Sequence, residues 1–399
     1  MSLTWGPRIL LISKYFSGVI NAYGAFQTYY ELELLRDMSP ASISWIGSIQ
    51  AFCFFAIGVL IGPIYDAGHC YTLLVSGSFL IVFGFMMTSI SYTYWQVFLA
   101  QGICIGIGTS CLSIPSIALV AMYFTTKRAW AMSIATLGSG LGSTTYPIIF
   151  QALQPRIGFS WTTRILGFIS LAVSIFSIAV TRPRYAAQKM KDQGKARSFR
   201  AIVQQARLGE KTYLIYVAAI FFNNIGFYPP LYYLQSYALS HGGQGHQVTF
   251  YLLSILNSSS IPGRLAPSAL SSRLGTVNTV ILTYFLCAAS VFYWTSASTI
   301  GGNIAFAVLY GFFSGGVVAF QPVVMTSITA DWGSLGTRLG VLAIWKGVGS
   351  LIGPPIAGVI LDTAGGYLGV QLFTGFIIMA SVVFAIVLRL MLDRKNGIR

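Results

Sequence analysis

Apolar runs long enough to cross a bilayer recur along this chain with little between them. A helix needs about 20 apolar residues to span roughly 30 Å of hydrocarbon. Twelve segments meet that length: 9–30, 42–62, 72–91, 95–122, 130–152, 161–181, 213–238, 248–270, 277–296, 301–325, 339–361 and 367–390. They are numbered here as spans one to twelve. The longest polar stretch, 183–211, divides them six and six. The pattern predicts an all-α membrane protein of twelve transmembrane helices in two pseudo-symmetric halves, residues 1–182 and 212–399, joined by the basic linker 183–211. Span one is too long for a signal-peptide core and lacks a small-residue cleavage pattern, so it is expected to stay in the mature chain.

Composition narrows the class further. Of 399 residues, 55% are hydrophobic and 8% charged, whereas a soluble domain carries about 25% charged residues. That excludes a soluble enzyme, a nucleic-acid binder and a disordered scaffold. The net charge of +15 is largely topology. With the N-terminus inside, 18 of the 24 cations fall in inner loops and tails, against Arg36 and Arg156 outside. Cytoplasmic loops retain Lys and Arg, so both termini are expected in the cytoplasm. The nine cations of the central connection, with Phe199, Ile202 and Val203 at amphipathic spacing, also suit an anionic leaflet. Five scattered cysteines without a CxxC pattern read as apolar filler, not as disulfides or metal ligands. Neither a cofactor nor a catalytic motif is found, and a monomer is expected.

The remaining four cations, Lys14, Arg164, Arg264 and Lys346, lie within spans that contain no acid. Arg264 is nine residues from the inner-loop Arg273, about 13 Å of helix, and Pro262-Gly263 opens the helix beside it. A buried charge costs about 2.5–3.5 kcal/mol on insertion scales unless paired or hydrated. Water in a cavity or an anionic substrate is its natural partner, with interhelix hydrogen bonding as the structural alternative. Lys346, next to Trp345, follows the same argument less deeply. Lys14 can snorkel, and Arg164 suits a role in holding the fold.

Polar and aromatic candidates for a cavity wall are Asn21, Tyr146, Asn224, Tyr228, Asn257, Phe320 and Gln321, together with Gln27 and Asn223. Pro229-Pro230 is expected to break span seven beside them. Tyr29, Tyr30, Tyr232 and Tyr233 recur at outer span ends and suit an interfacial aromatic belt. All nine acids lie in loops or at span ends. Glu31, at the outer end of span one, is the best remaining candidate for proton coupling, though a solvated helix end is its expected role.

An internal duplication is expected at an offset of 209. Gly102 pairs with Gly311, each followed by a glycine-rich run and then Pro115 or Pro322, and Gly138 pairs with Gly347. Small residues let helices approach closely in lipid. Two parallel halves with a binding site between them describe a rocking carrier.

Several stretches carry a resemblance: GAFQTYYE (24–31), SISWIGSIQAF (42–52), YFTTKRAWAMSIATLGSGLG (123–142), GFSWTTR (158–164), FYPPLYYLQSYA (227–238) and PGRLAP (262–267). They resemble the major facilitator superfamily, and within it the fungal branch of the monocarboxylate porter family. The resemblance implies alternating access and gives Arg264 the role of substrate-carboxylate cation. It would place a reactive lysine where Asn21 stands and a proton-carrying aspartate where Ser260 stands, which argues against a proton-coupled lactate symporter. It also implies a cytoplasmic latch in which Asp66 faces Arg128, with Arg273 on the same face; loop charge without a latch fits equally. The expected function is secondary active or facilitative transport of a small organic anion or acidic aromatic metabolite at the plasma membrane, chiefly secondary-metabolite efflux. Uptake of a monocarboxylate or a riboflavin-like vitamin is the alternative. A channel and a membrane-embedded enzyme lack supporting motifs.

Overall fold

The computed structural model describes residues 15–66, 68–113, 128–180, 209–241, 247–329, 335–363 and 366–395. Every regular element among them is helical. Among the described residues, nine helices are long and apolar enough to cross a membrane, and they account for ten predicted spans. Spans five and six form one trace, Arg128–Val180, turned at Gly158. The φ of 78° there is one that glycine adopts without a Cβ penalty.

Spans one and eight are described as shorter helical pieces, span one from residue 15 onward. Span one contains the helices Gly18–Asn21 and Tyr23–Tyr29, interrupted at Ala22, then a π-helical turn Tyr30–Leu34. Span eight contains Gln247–Gly263 and Ala266–Leu274, separated at Arg264-Leu265. Pro262 and Pro267 flank that gap and each removes a backbone donor.

Packing inside each half repeats. A Cβ added at Gly102 would lie 3.1 Å from the Ile46 carbonyl oxygen, and one at Gly106 would lie 2.9 Å from that of Gln50. In the second half, Gly311 meets the Leu256 carbonyl at 2.1 Å and Gly315 that of Ser260 at 2.3 Å. Likewise Gly142 meets the Tyr15 carbonyl and Gly353 the Ile225 carbonyl, each at 2.1 Å. Span four thus lies on span two as span ten lies on span eight. Span five meets span one as span eleven meets span seven. The four positive-φ glycines described, Gly68 and Gly158 against Gly275 and Gly366, fall at corresponding turns. Pro115 lies outside the described residues, as does the linker at 181–208 with its expected lipid contact.

Across the halves, span two runs along span eleven and span one along span seven. Apolar side chains such as Leu60, Phe79 and Phe376 are exposed on the outer wall of the bundle, as lipid-facing positions are. The cysteines are unpaired, four of them buried and Cys104 half-buried.

Two expectations are corrected here. Span seven is one unbroken helix, Lys211–Ser240, with Pro229 and Pro230 inside it. Proline at 229 removes the donor to the Ile225 carbonyl, and the close approach of Gly353 packs span eleven against that carbonyl. The outer tyrosines are no lipid-facing belt either. Tyr30, Tyr232 and Tyr233 are fully buried. Tyr30 donates to Gln101, Tyr232 packs on Tyr23 at 4.9 Å, and Tyr233 donates to the Pro354 carbonyl at 3.1 Å. Hydroxyls with interior partners and rings with ring neighbours gain more inside than at the interface.

Candidate functional site

The two helix breaks meet at one cavity. It is lined by Asn21 of span one, Phe227 and Leu231 of span seven, Leu256, Asn257, Ser260 and Arg264 of span eight, and Ser314, Gly315 and Val318 of span ten. The wall therefore joins a cation, two amides and two hydroxyls to an apolar side. At its centre there is room for about one water molecule, so a metabolite can enter only when the helices part.

Arg264 is buried and sits where span eight loses its helical continuity, its own amide reaching the Ser260 carbonyl at 3.1 Å. Its side chain crosses to span five. Nη1 donates to the Thr136 carbonyl and to the Ser139 hydroxyl. Its Nε–H, equally buried, has no acceptor. Interhelix bonding and an open donor edge thus coexist in one guanidinium. Two ion pairs form among the described residues, Arg338–Glu210 at 2.7 Å and Arg389–Asp393 at 3.1 Å, and neither involves the cavity. Asn257 reaches across the seam, its Nδ2 lying 3.5 Å from the Asn21 carbonyl.

Of the nine expected binding residues, Arg264, Asn21 and Asn257 share this wall. The others lie elsewhere. Tyr146 packs between Tyr15 and Phe85 and bonds Ser170 at 2.9 Å, inside the first half. Asn224 donates to its own helix at the Ile220 carbonyl. Gln321 donates to Asn223 at 3.4 Å, and Phe320 is buried beside it. Tyr228 meets the ring of its neighbour Phe227, which lines the cavity, edge to face. Lys346 places its Nζ 4.7 Å from the centre of the Phe55 ring, a cation–π contact from span eleven to span two. Arg164 holds the fold as expected, with Nε on Ser89 at 3.2 Å and its guanidinium over Trp161.

The expected latch is only partly visible. The side chains of Asp66 and Arg128 lie outside the described residues, and Arg273 is exposed at the end of its helix. At that end of the bundle, the ion pair described is Arg338–Glu210, which the sequence reading missed. It joins the starts of spans seven and eleven, and Tyr213 reinforces it by donating to the Arg338 carbonyl at 3.1 Å. At the opposite end, Glu31 is not a solvated helix end. Its carboxylate accepts from Gln27 at 2.9 Å and from Ser236 of span seven at 2.7 Å.

Sequence reasoning also missed the apolar wall and the span-five partners of Arg264. Ser139 stands in the glycine-rich GSGLGS run, where a hydroxyl among glycines is the signal that was available.

A profile of the Major Facilitator Superfamily matches residues 12–337. The MFS-type transporter dbaD of Emericella nidulans is 36% identical over 345 residues, covering 86% of this chain and 76% of its own. The aspyridones efflux protein apdF of the same fungus is 35% identical, covering 92% of this chain and 73% of its own. The agnestins efflux protein AgnL12 of Paecilomyces divaricatus is 33% identical, covering 96% and 85%. The family and these relatives are transporters, not enzymes.

Proposed function

The chain belongs to the Major Facilitator Superfamily, and on that premise we propose that it exports a small organic anion or acidic aromatic metabolite by alternating access. The observation that carries the proposal is Arg264: a buried guanidinium with an unsatisfied Nε–H, on a cavity wall half polar and half apolar, between helices of both halves. An anion supplies the missing acceptor, and a hydrophobic body fits against Phe227, Leu231, Leu256 and Val318. Efflux of a secondary metabolite is favoured by relatives whose names give them export of aspyridones and agnestins.

The finer placement in the monocarboxylate porter family rests on the stretches quoted above. The two halves, 1–182 and 212–399, rock about the linker 183–211, with both termini cytoplasmic in the plasma membrane and the chain acting as a monomer. In this orientation the Glu31 end faces outward. Closure there and the narrow cavity suit a carrier that receives its cargo from the cytoplasmic side.

The test is metabolite profiling of medium and cell extract from cells with and without the protein. One acidic compound is expected to accumulate inside cells lacking it, and Arg264→Ala is expected to reproduce that accumulation while still reaching the membrane. Full export by the variant removes Arg264 from the site.

A further inference from the structure

Arg264 carries more than charge, because its donors are divided between two tasks. A guanidinium is planar, with five N–H groups fixed in direction, and it takes a carboxylate through two parallel N–H groups along one edge. Here Nη1 is committed to span five, at the Thr136 carbonyl and the Ser139 hydroxyl. Nε is buried without an acceptor and belongs to a residue that lines the cavity. The plane is fixed from its other face as well. A Cβ on Gly140 would lie 3.6 Å from both Cζ and Nε of Arg264, and 2.8 Å from Ile261. Gly140 thus lies in van der Waals range of the guanidinium on span five, and its lack of a Cβ leaves room for Ile261 beside it.

We propose that Ser139 is a positioning residue for cargo binding: with the Thr136 carbonyl it holds Nη1 of Arg264 on span five, so that the Nε edge takes the cargo's carboxylate side-on. The proposal rests on the reading of Arg264 as the cargo's counter-charge. It adds a direction of approach and a consequence. Bound cargo, Arg264 and span five form one hydrogen-bonded chain across the seam between spans five and eight. Ser258 and Thr144, whose hydroxyls lie 3.4 Å apart, continue the same seam. Cargo therefore strengthens closure of the seam while it is bound. A lysine at 264 keeps the charge but has all three donors on one nitrogen and lacks the planar fork that takes a carboxylate side-on.

The experiment uses the full chain in inside-out vesicles, with benzoate as the probe anion and benzamide as its neutral counterpart. Ser139→Thr and Ser139→Val have nearly the same shape and differ in the hydroxyl, so a folding defect common to both is recognised by their equal melting temperatures. Ser139→Val is expected to raise KM for benzoate about tenfold with Vmax changed less than twofold. Ser139→Thr is expected to restore the wild-type KM, and benzamide flux is expected to distinguish neither variant. Arg264→Lys is expected to raise KM for benzoate at least as far as Ser139→Val. A wild-type benzoate KM in Ser139→Val, together with loss of benzoate transport in Arg264→Ala, overturns the positioning role and leaves the anion reading standing. Equal loss of benzamide and benzoate flux in Ser139→Val also overturns it. Benzoate transport unaffected by Arg264→Ala, or absent in the wild type, overturns the anion reading itself.

Discussion

Ser236 of span seven donates a 2.7 Å hydrogen bond to the carboxylate of Glu31 at the end of span one, so the two halves are tied at this end by a charge-assisted contact. Thr28, 2% exposed, sits against the same serine, hydroxyl to hydroxyl at 3.5 Å. A hydrogen bond to a charged group contributes about 1.5–3 kcal/mol. Ser236→Ala is expected to raise the open population at this end about tenfold or more, and Glu31→Ala to raise it further by freeing Gln27 too. The readout is the labelling rate of a cysteine placed at Thr28, in a cysteine-free background, by an impermeant maleimide added to right-side-out vesicles. An unchanged rate rules out the clamp.

Glycine contacts separate closure from stability. A Cβ at Gly24 would lie 2.0 Å from the Leu231 carbonyl oxygen, across the halves, while one at Gly353 would lie 2.1 Å from the Ile225 carbonyl oxygen, within a half. Overpacking costs about 1–3 kcal/mol. Gly24→Ala is expected to cut transport at least tenfold with a near-normal melting temperature. Gly353→Ala is expected to lower the melting temperature by several degrees. A thermal melt beside a flux assay separates the two, and the reverse pattern refutes the assignment of seams.

Gln50 is fully buried in span two, and neither amide atom has a partner. It corresponds in the repeat to Ser260 on the cavity wall, since their carbonyls face Gly106 and Gly315 alike. A buried polar group left unsatisfied costs about 1–3 kcal/mol, and such groups persist where function needs them. Gln50→Leu is expected to raise thermal stability and to lower transport several-fold. A variant that is both more stable and fully active would mean that the amide serves nothing.

No acid lines the cavity. An inward-acid gradient of one pH unit is therefore expected to change vesicle flux less than twofold. Strong acid stimulation abolished by Glu31→Gln would instead place coupling at the outer clamp.

The helical architecture was legible because apolar length is a linear property of a chain. Which face of a helix looks inward is not. Tyr30 and Tyr233 read as interfacial because tyrosine at a span end suits that place; only the Gln101 amide and the Pro354 carbonyl make the interior the better one. Arg264 stood out because a charge deep in an apolar run has few explanations. Tyr146 and Gln321 did not sort correctly, since a polar side chain that bonds its neighbour looks in sequence like one that faces cargo. The interruption of span one at Ala22 falls on residues with no breaker chemistry. Beside it, Asn257 of the second half reaches the Asn21 carbonyl at 3.5 Å, a contact that no local sequence pattern announces.

The glycine–carbonyl contacts repeated in both halves divide the molecule into parts that tolerate change differently. Leu256 offers its carbonyl to Gly311 and its side chain to the cavity wall, so its backbone belongs to the scaffold while its side chain shapes the cavity. Leu231 instead offers its carbonyl to Gly24 across the halves, at the seam that must part, and Val318 adds a third apolar wall position. Substitutions among aliphatic sizes at these three positions reshape the apolar side of the cavity while the glycine–carbonyl contacts keep their backbone partners. A new cargo of the same charge can then be acquired by small steps, each leaving the carrier folded and able to rock.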